Sequence, residues 1–554
     1  MIMKTYIFNI NKIFFWLIIV VFSANSVYSQ QDSMKKRTVL ITSIFKPVLK
    51  EAAKINLAAT PASVDTSKPK LSYNIPNQNL LFPYSPASIK PLALDIDLGG
   101  VWQLSNSIKA GFGNLITPFF QAGLSFGDGN SQGIQIYSKF ISSSSKKNFQ
   151  NYSEAKIGAT GFYKTNTNHE LQAKLEASRN NYNINKYPVV SMPFPQEFLN
   201  LNTRLGYHNT SPTKFGLMYS PEISVYFFED DAIIKKNKEQ YLKINLPLQK
   251  QVGKSFAVYF NSEFNFINYV NSNSVAVSKT VFEISPTLHL KTPKLNLQLG
   301  IRPTWDNDLF KLFPNIKAEV STEDKRFVFQ AGWTGKVQVN TYQSLAKQNQ
   351  WINAPFNLQN TWMEERYAGF KGSVGNHFNY STKLGFNKYK NLPLFDQDFW
   401  VSNFQAFNVK YEPNVKVVHT SAEIGYSVQE KLSLLATVNH YQYSNIVVNK
   451  KPLGLIPLEF KATFRLQVMD DVWINSDLLV SKGSFYRKSI SEYDQLKDVF
   501  DFNAGVEYRV TKKVNLWAQF NNIFNQEFQR WNLFPSYGFN FVAGVIFSFD
   551  KNKK

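Results

Sequence analysis

From about residue 97 to Phe549 the chain alternates apolar and polar residues in long runs. Leu458, Phe460, Ala462, Phe464, Leu466 and Val468 are apolar, and Glu459, Lys461, Thr463, Arg465 and Gln467 lie between them. Phe500, Phe502, Ala504, Val506, Tyr508 and Val510 alternate in the same way with Asp501, Asn503, Gly505, Glu507 and Arg509. Near the C-terminus Tyr537, Phe539, Phe541, Ala543, Val545, Phe547 and Phe549 make one apolar set. A strand sends successive side chains to opposite faces, so each run predicts one greasy face and one polar face. A soluble sandwich alternates too, but its strands are about five or six residues long. Runs of roughly eleven or more are long enough to cross a bilayer at a tilt. Turning Lys461 and Arg465 toward lipid would cost about 2–4 kcal/mol each near the midplane. The ringed face therefore meets lipid, and the charged face lines a wet lumen.

Two kinds of connection alternate along the chain. Ten are tight and polar, at 127–130, 165–168, 211–214, 252–255, 292–294, 322–325, 375–377, 429–431, 470–471 and 511–513. The others read as longer and irregular, for example 185–197, 229–239, 350–364, 390–405 and 488–497. Short periplasmic turns facing long outer loops are the pattern of a bacterial transmembrane barrel. Ten tight turns join about twenty strands. A closing strand over Pro535 to Phe549 and a first strand between Ile96 and Leu115 bring the total to about 22, with about 20 also fitting. The predicted fold is thus all-β, a closed antiparallel transmembrane β-barrel over residues 96–549. Gly111 to Gly127 fits one long strand or two short ones.

The N-terminus adds the compartment. Lys4 and Lys12 precede an apolar run from Ile13 to Phe22, followed by Val27-Tyr28-Ser29. This predicts a signal peptide over residues 1–29, cleaved between Ser29 and Gln30, with an apolar core too short to span a bilayer. Residues 30–95 are rich in Lys, Ser, Ala and Pro. They read as an extended tail, with a short helix at Pro47 to Ile55 and the capacity to fill the lumen. Residues 550–554 form a short C-terminal tail.

Composition sharpens this picture. There are 48 Phe, 27 Tyr and 10 Trp, and aromatic rings sit well at both lipid–water interfaces. With no cysteine, disulfide staples and Cys-ligated metals are excluded. The formal charge of +21 suits anionic lipid headgroups or an anionic solute; the exported compartment argues against nucleic acid.

A resemblance rests on the C-terminal residues. Val514-Asn515-Leu516-Trp517-Ala518-Gln519-Phe520-Asn521-Asn522-Ile523-Phe524-Asn525-Gln526-Glu527-Phe528 resembles the penultimate strand and corner of TonB-dependent receptors. The last strand, ending Gly544-Val545-Ile546-Phe547-Ser548-Phe549, is similar to that family's closing strand. The resemblance implies an outer-membrane transport or receptor barrel. It also implies that Phe547 and Phe549 are read by the barrel-assembly machinery, and that lipid, lipopolysaccharide and TonB or an outer-membrane protein are partners. A signal peptide leading to Gln30 also looks like exports of Bacteroidota. The chain departs from the family in one respect: about 65 residues precede the barrel, where the family has a plug of well over a hundred. Arg37 to Thr42 is similar to the short segment that pairs with TonB.

The six histidines (His169, His208, His289, His377, His419 and His440) share no spacing that builds a metal site from one element. No Gly-x-Ser-x-Gly, Walker loop or His-Glu-x-x-His is present, so neither an enzyme nor a cofactor is expected. Ser142 to Ser145 reads as a loop. The candidates for function are lumen-facing charges: Glu459, Lys461, Arg465, Asp501, Glu507 and Arg509. They either brace the wall or bind a solute or the tail, whose Lys50, Lys54, Lys68 and Lys70 could pair with inward acids. A lumen of about 22 strands leaks unless filled, and the tail, the long loops or a partner could fill it. Three readings remain: a transport barrel with a reduced plug, a structural barrel subunit of an outer-membrane complex, and an open porin.

Overall fold

The computed structural model describes residues 106–145, 150–184, 194–230, 236–271, 276–324, 326–397, 406–429 and 431–549. The signal peptide, the tail over 30–95 with its helix at Pro47 to Ile55, and residues 550–554 lie outside them.

Nearly all of the described chain is strand. The wall begins with β1 (Ser107–Gly113), β2 (Thr117–Gly127), β3 (Gln132–Ser145), β4 (Gln150–Lys164), β5 (His169–Ile184) and β6 (Phe194–Asn209). β7 is interrupted, running as Leu217–Tyr219 and Glu222–Asp230 along one neighbour. It continues with β8 (Asn237–Val252), β9 (Phe256–Val270), β10 (Ala276–Lys291), β11 (Leu295–Asp306), β12 (Leu309–Ser321) and β13 (Val328–Gln338). Then follow β14 (Thr361–Val374), β15 (Phe378–Lys390), β16 (Val415–Val428), β17 (Leu432–Ser444) and β18 (Leu458–Met469). The last are β19 (Val472–Ser481), β20 (Val499–Arg509), β21 (Val514–Asn521) and β22 (Asn540–Ser548). Each pairs antiparallel with the next, and β22 pairs back onto β1 with Ser107 opposite Ser548 and Gly111 opposite Gly544. The result is a closed 22-stranded barrel with no free edge, as the alternation predicted.

Closure needs small residues at the seam. A Cβ on Gly111 would stand 2.7 Å from both the Ala543 carbonyl oxygen and the Trp517 ring. The Trp517 indole lies across this seam and donates from Nε1 to the Ala110 carbonyl at 3.3 Å.

All ten tight connections fall where the turn residues placed them. Their shapes follow from side-chain chemistry: Asp128 accepts the backbone N–H groups of Asn130, Ser131 and Gln132, and Gly253 and Gly375 adopt φ near 69° and 63°. The opposite end is less uniform than expected. β11 and β12 are joined by Asn307 and Asp308 alone, with Asn307 at φ 53°. β1 and β2 are two strands separated by residues 114–116. Ser142 to Ser145 is not a loop but the end of β3, where the Ser143 hydroxyl bonds to that of Thr117 at 3.1 Å. The stretch expected to be loop over 185–197 is already strand from Phe194.

The last strand is shorter than the run from Pro535 suggested. Asn522 and Asn525, at φ 46° and 53°, explain this. The Asn522 amide donates to the Tyr537 carbonyl at 2.9 Å, and Asn525 Oδ1 accepts the Phe539 N–H at 2.8 Å. The 537–539 backbone is thereby bonded to side chains of the preceding corner instead of to a neighbouring strand.

Outward positions carry the rings. Phe112, Phe120, Leu199, Phe260, Phe386 and Phe547 are among many large apolar side chains left exposed. An apolar belt this extensive is far larger than the patches soluble proteins expose, and it marks the surface as lipid-facing.

Candidate ligand-recognition site

The inner face differs from the outer one residue by residue. On β6, Phe198 is buried while its neighbour Leu199 is half exposed. Much of the inner wall is braced by ion pairs across and along strands. Lys139 meets Glu154 at 2.9 Å, Lys243 meets Glu263 at 2.9 Å, Arg302 meets Glu283 at 2.9 Å and Lys383 meets Glu365 at 2.6 Å.

The six sequence-predicted charges are spread over the height of β18 and β20 and do not form one site. Lys461 pairs with Glu459 on its own strand at 2.5 Å. Glu507 accepts the Asn515 amide at 2.5 Å. Arg509 lies by the tight turns, 3.5 Å from Asp471 and over the Trp473 ring. Arg465 is half-buried and sits closer to the turn end of β18 than Glu459 does. Asp501 is buried at the opposite end of β20, and one of its oxygens accepts from Asn503 at 3.3 Å.

What the sequence did not reveal is a second core at the long-loop end. The β13–β14 connection contains a short helix, α1 (Tyr342–Gln348). Thr341 caps it, and Ser344 returns the bond to the Thr341 N–H, which makes a reciprocal capping box. Seven residues cannot hold a helix unaided, so packing must do so. Tyr342, Leu345 and Ala346 are buried with Trp351, Ile352 and Leu358 from the same connection. Phe395 and Phe407 join them from the β15–β16 connection, whose hairpin pairs Leu392–Gln397 with Phe407–Glu412. Trp531 and Phe534 come from the β21–β22 connection.

These residues pack on the inward side chains Phe198, Phe228 and Tyr269 of β6, β7 and β9. Trp351 and Phe534 stack at 4.3 Å, and Phe228 meets Tyr342 edge-on at 5.0 Å. Connections that leave the wall at three separate places thus converge on its inner face, so they fold over the lumen instead of away from it. Buried aromatic pairs of this kind contribute about 0.5–1.5 kcal/mol each beyond their area.

Polar contacts fix the cap in register with the wall. The Glu239 carboxylate on β8 accepts the N–H groups of Tyr342 and Gln343, the second at 3.1 Å. The Tyr342 hydroxyl donates to Asp230 at 2.5 Å, and the Gln343 amide donates to Asn200 at 2.8 Å. Burial, and then the Asp230 carboxylate, push the Tyr342 phenol well above its ordinary value. Lys347 on the same helix is pushed down by burial. In the β15–β16 hairpin the fully buried Glu412 accepts the N–H groups of Val447, Val448 and Asn449, which ties that hairpin to the β17–β18 connection.

Among the described residues no group of three His, Asp or Glu side chains is placed to hold a metal ion. His419 stacks on Tyr441 at 4.3 Å and bonds to Asn439, and His377 bonds to the Ser427 carbonyl at a tight turn. The histidines are parts of the wall.

No family model matches the sequence, and no curated protein does. Solved structures do match in fold. The siderophore receptor PirA from Acinetobacter baumannii superposes with a TM-score of 0.64 at 9% identity, covering 80% of each chain. A point mutant of the ferric enterobactin receptor PfeA from Pseudomonas aeruginosa gives 0.61 at 12% identity, again over 80% of each chain. P. aeruginosa FpvA bound to a heterologous pyoverdine gives 0.60 at 11% identity, covering 80% of this chain and 71% of that one. In fold, this chain is a 22-stranded barrel like those of the siderophore receptors.

Proposed function

We propose that the protein is an outer-membrane receptor and transport barrel of the TonB-dependent type, taking up an anionic iron chelate or a solute of similar size. The observation that carries this reading is the inward-folded cap. A wall of 22 strands encloses a lumen wide enough to leak, and an open porin would leave it continuous. Here the loops of the long-loop end are locked over it by a ring-packed core, which suits a receptor that closes over its cargo and opens under an energy input. Of the formal charge of +21, Lys4 and Lys12 leave with residues 1–29, and the remaining excess of 19 positive charges favours an anionic cargo by steering.

In this reading residues 1–29 are removed between Ser29 and Gln30, and residues 30–95 act as a reduced plug from the periplasmic side. The inward charges Glu459, Lys461, Arg465, Asp501, Glu507 and Arg509 line the route. Phe547 and Phe549 are read during assembly.

Growth under iron limitation tests the proposal. A deletion strain supplied with a panel of ferric siderophores should lose growth on at least one of them. The gene should restore growth only where TonB is intact. Equal growth of deletion and parent on every chelate, or restoration without TonB, would overturn the reading.

A further inference from the structure

On β14–β16 the outer face changes from apolar to basic at one height. Phe370, Leu384, Phe386 and Ile424 are exposed on it. Farther from the tight turns, at alternating positions of the same face, stand Arg366, Lys388, Lys390 and Lys416, all exposed. The strand register fixes their arrangement. Lys388 lies directly opposite Lys416, and Arg366 lies directly opposite Phe386. Lys388 is ten positions beyond Phe378, where β15 leaves its tight turn. At about 3.3 Å per residue and a tilt of about 40°, this is about 25 Å, the height of an apolar belt. The cations therefore stand at the outer lipid–water interface.

Like charges directly opposite each other destabilise a sheet. None of the four cations has a carboxylate within ion-pair distance among the described residues. Glu364, opposite Lys388 on its other side, is bonded to Lys311 at 2.5 Å. Arg366 and Lys390 lie over the Trp333 and Trp362 rings, each 4.8 Å from the centroid. The rim of β5–β8 is built differently. There Arg179 meets Glu197 at 2.6 Å and Lys238 meets Glu229 at 3.5 Å, so the wall supplies the counter-charge itself.

We propose that the outer face of β14–β16 binds a phosphorylated glycolipid of the outer leaflet. Its phosphates lie against Arg366, Lys388 and Lys416, and its acyl chains lie on Leu384, Phe386 and Ile424. Neighbouring strands stand about 4.8 Å apart, so cations on three strands span about 10 Å, enough for two phosphates on one headgroup. Phosphate oxygens take charge-assisted bonds from ammonium and guanidinium groups alike. The site requires only that this face meets lipid, so its failure would leave the uptake reading untouched.

The test uses the full-length barrel purified in detergent, titrated with lipids and read by native mass spectrometry. The probes are diphosphoryl lipid A, monophosphoryl lipid A and phosphatidylglycerol. The diphosphoryl form should bind about tenfold more tightly than the monophosphoryl form, because the second phosphate adds charge-assisted bonds. The double variant Lys388→Gln with Lys416→Gln, checked for retained heat-modifiable migration, should lose that preference. Lys236→Gln with Lys238→Gln should keep it. Equal affinity for the two forms of lipid A, or a preference that survives Lys388→Gln with Lys416→Gln, would overturn the proposal. Tighter binding of phosphatidylglycerol than of diphosphoryl lipid A would assign the face to phospholipid and overturn it as well. The lipid series on the unaltered protein decides the matter even if the variant does not fold.

Discussion

Glu239 and Gln343 are separated by 104 positions in sequence, yet the carboxylate of one accepts the backbone N–H of the other at 3.1 Å. A wall strand thereby supplies the partner that the start of α1 lacks, and the cap is anchored where it crosses the lumen. Replacing Glu239 with Ala should leave two buried N–H groups unsatisfied. The 339–360 connection should lose about 1–3 kcal/mol of local stability. Hydrogen exchange read by mass spectrometry should quicken in that segment and stay unchanged in the tight turns at the other end.

The Tyr342–Asp230 bond has a pH signature. The Tyr342 phenol is raised in the folded cap by burial and by the neighbouring carboxylate. A group raised on folding contributes stability that is complete below its unfolded value, about 10 for tyrosine, and is lost as pH climbs through the folded value. The cap should therefore hold its exchange protection through neutral pH and loosen only above about pH 10. Tyr342→Phe should weaken protection at pH 7 and flatten the alkaline loss. An equal alkaline loss in the variant would assign it to another group.

Much of the wall was legible because its two signals are local. Period-two alternation over Leu458 to Val468 or Phe500 to Val510 marks a strand and its faces, and turn residues such as Asp128 and Gly253 act within four positions. The cap was not legible, because each of its contacts joins distant segments. Tyr342 to Gln348 is too short to show helical periodicity, and only its Thr341–Ser344 box is a local sign. The inner face also held a surprise at the seam. Phe119, Ile141, Trp517, Val542 and Ile546 make an apolar patch where alternation implied a polar wall. Lys109 lies over the Trp517 ring there at 3.9 Å from its centroid, so an aromatic face provides part of the solvation of the charge.

That seam predicts an assembly defect. Gly111→Val would push a side chain into the Ala543 carbonyl and the Trp517 ring, and overpacking of this kind costs about 1–3 kcal/mol. Because β1 and β22 close the barrel, the fraction of protein with heat-modifiable migration should fall sharply. Gly123→Val, where the only near neighbour stands at 4.0 Å, should fold normally.

The C-terminal aromatics predict a difference between the cell and the test tube. Phe547 is half exposed on the lipid side and lies 5.2 Å from the Phe549 ring. Phe547→Ala should lower the yield of assembled barrel in cells several-fold, yet refold into detergent nearly as well as the parent. Equal losses in both settings would make the residue structural only.

The account depends on which face of the wall is wet. The chain has no cysteine, so single spin labels can be placed one at a time on β18 in bilayers. Labels at Lys461, Thr463 and Arg465 should relax with a water-soluble nickel chelate, and labels at Ala462, Phe464 and Leu466 with oxygen dissolved in lipid. Loss of that alternation, or its inversion, would contradict the account.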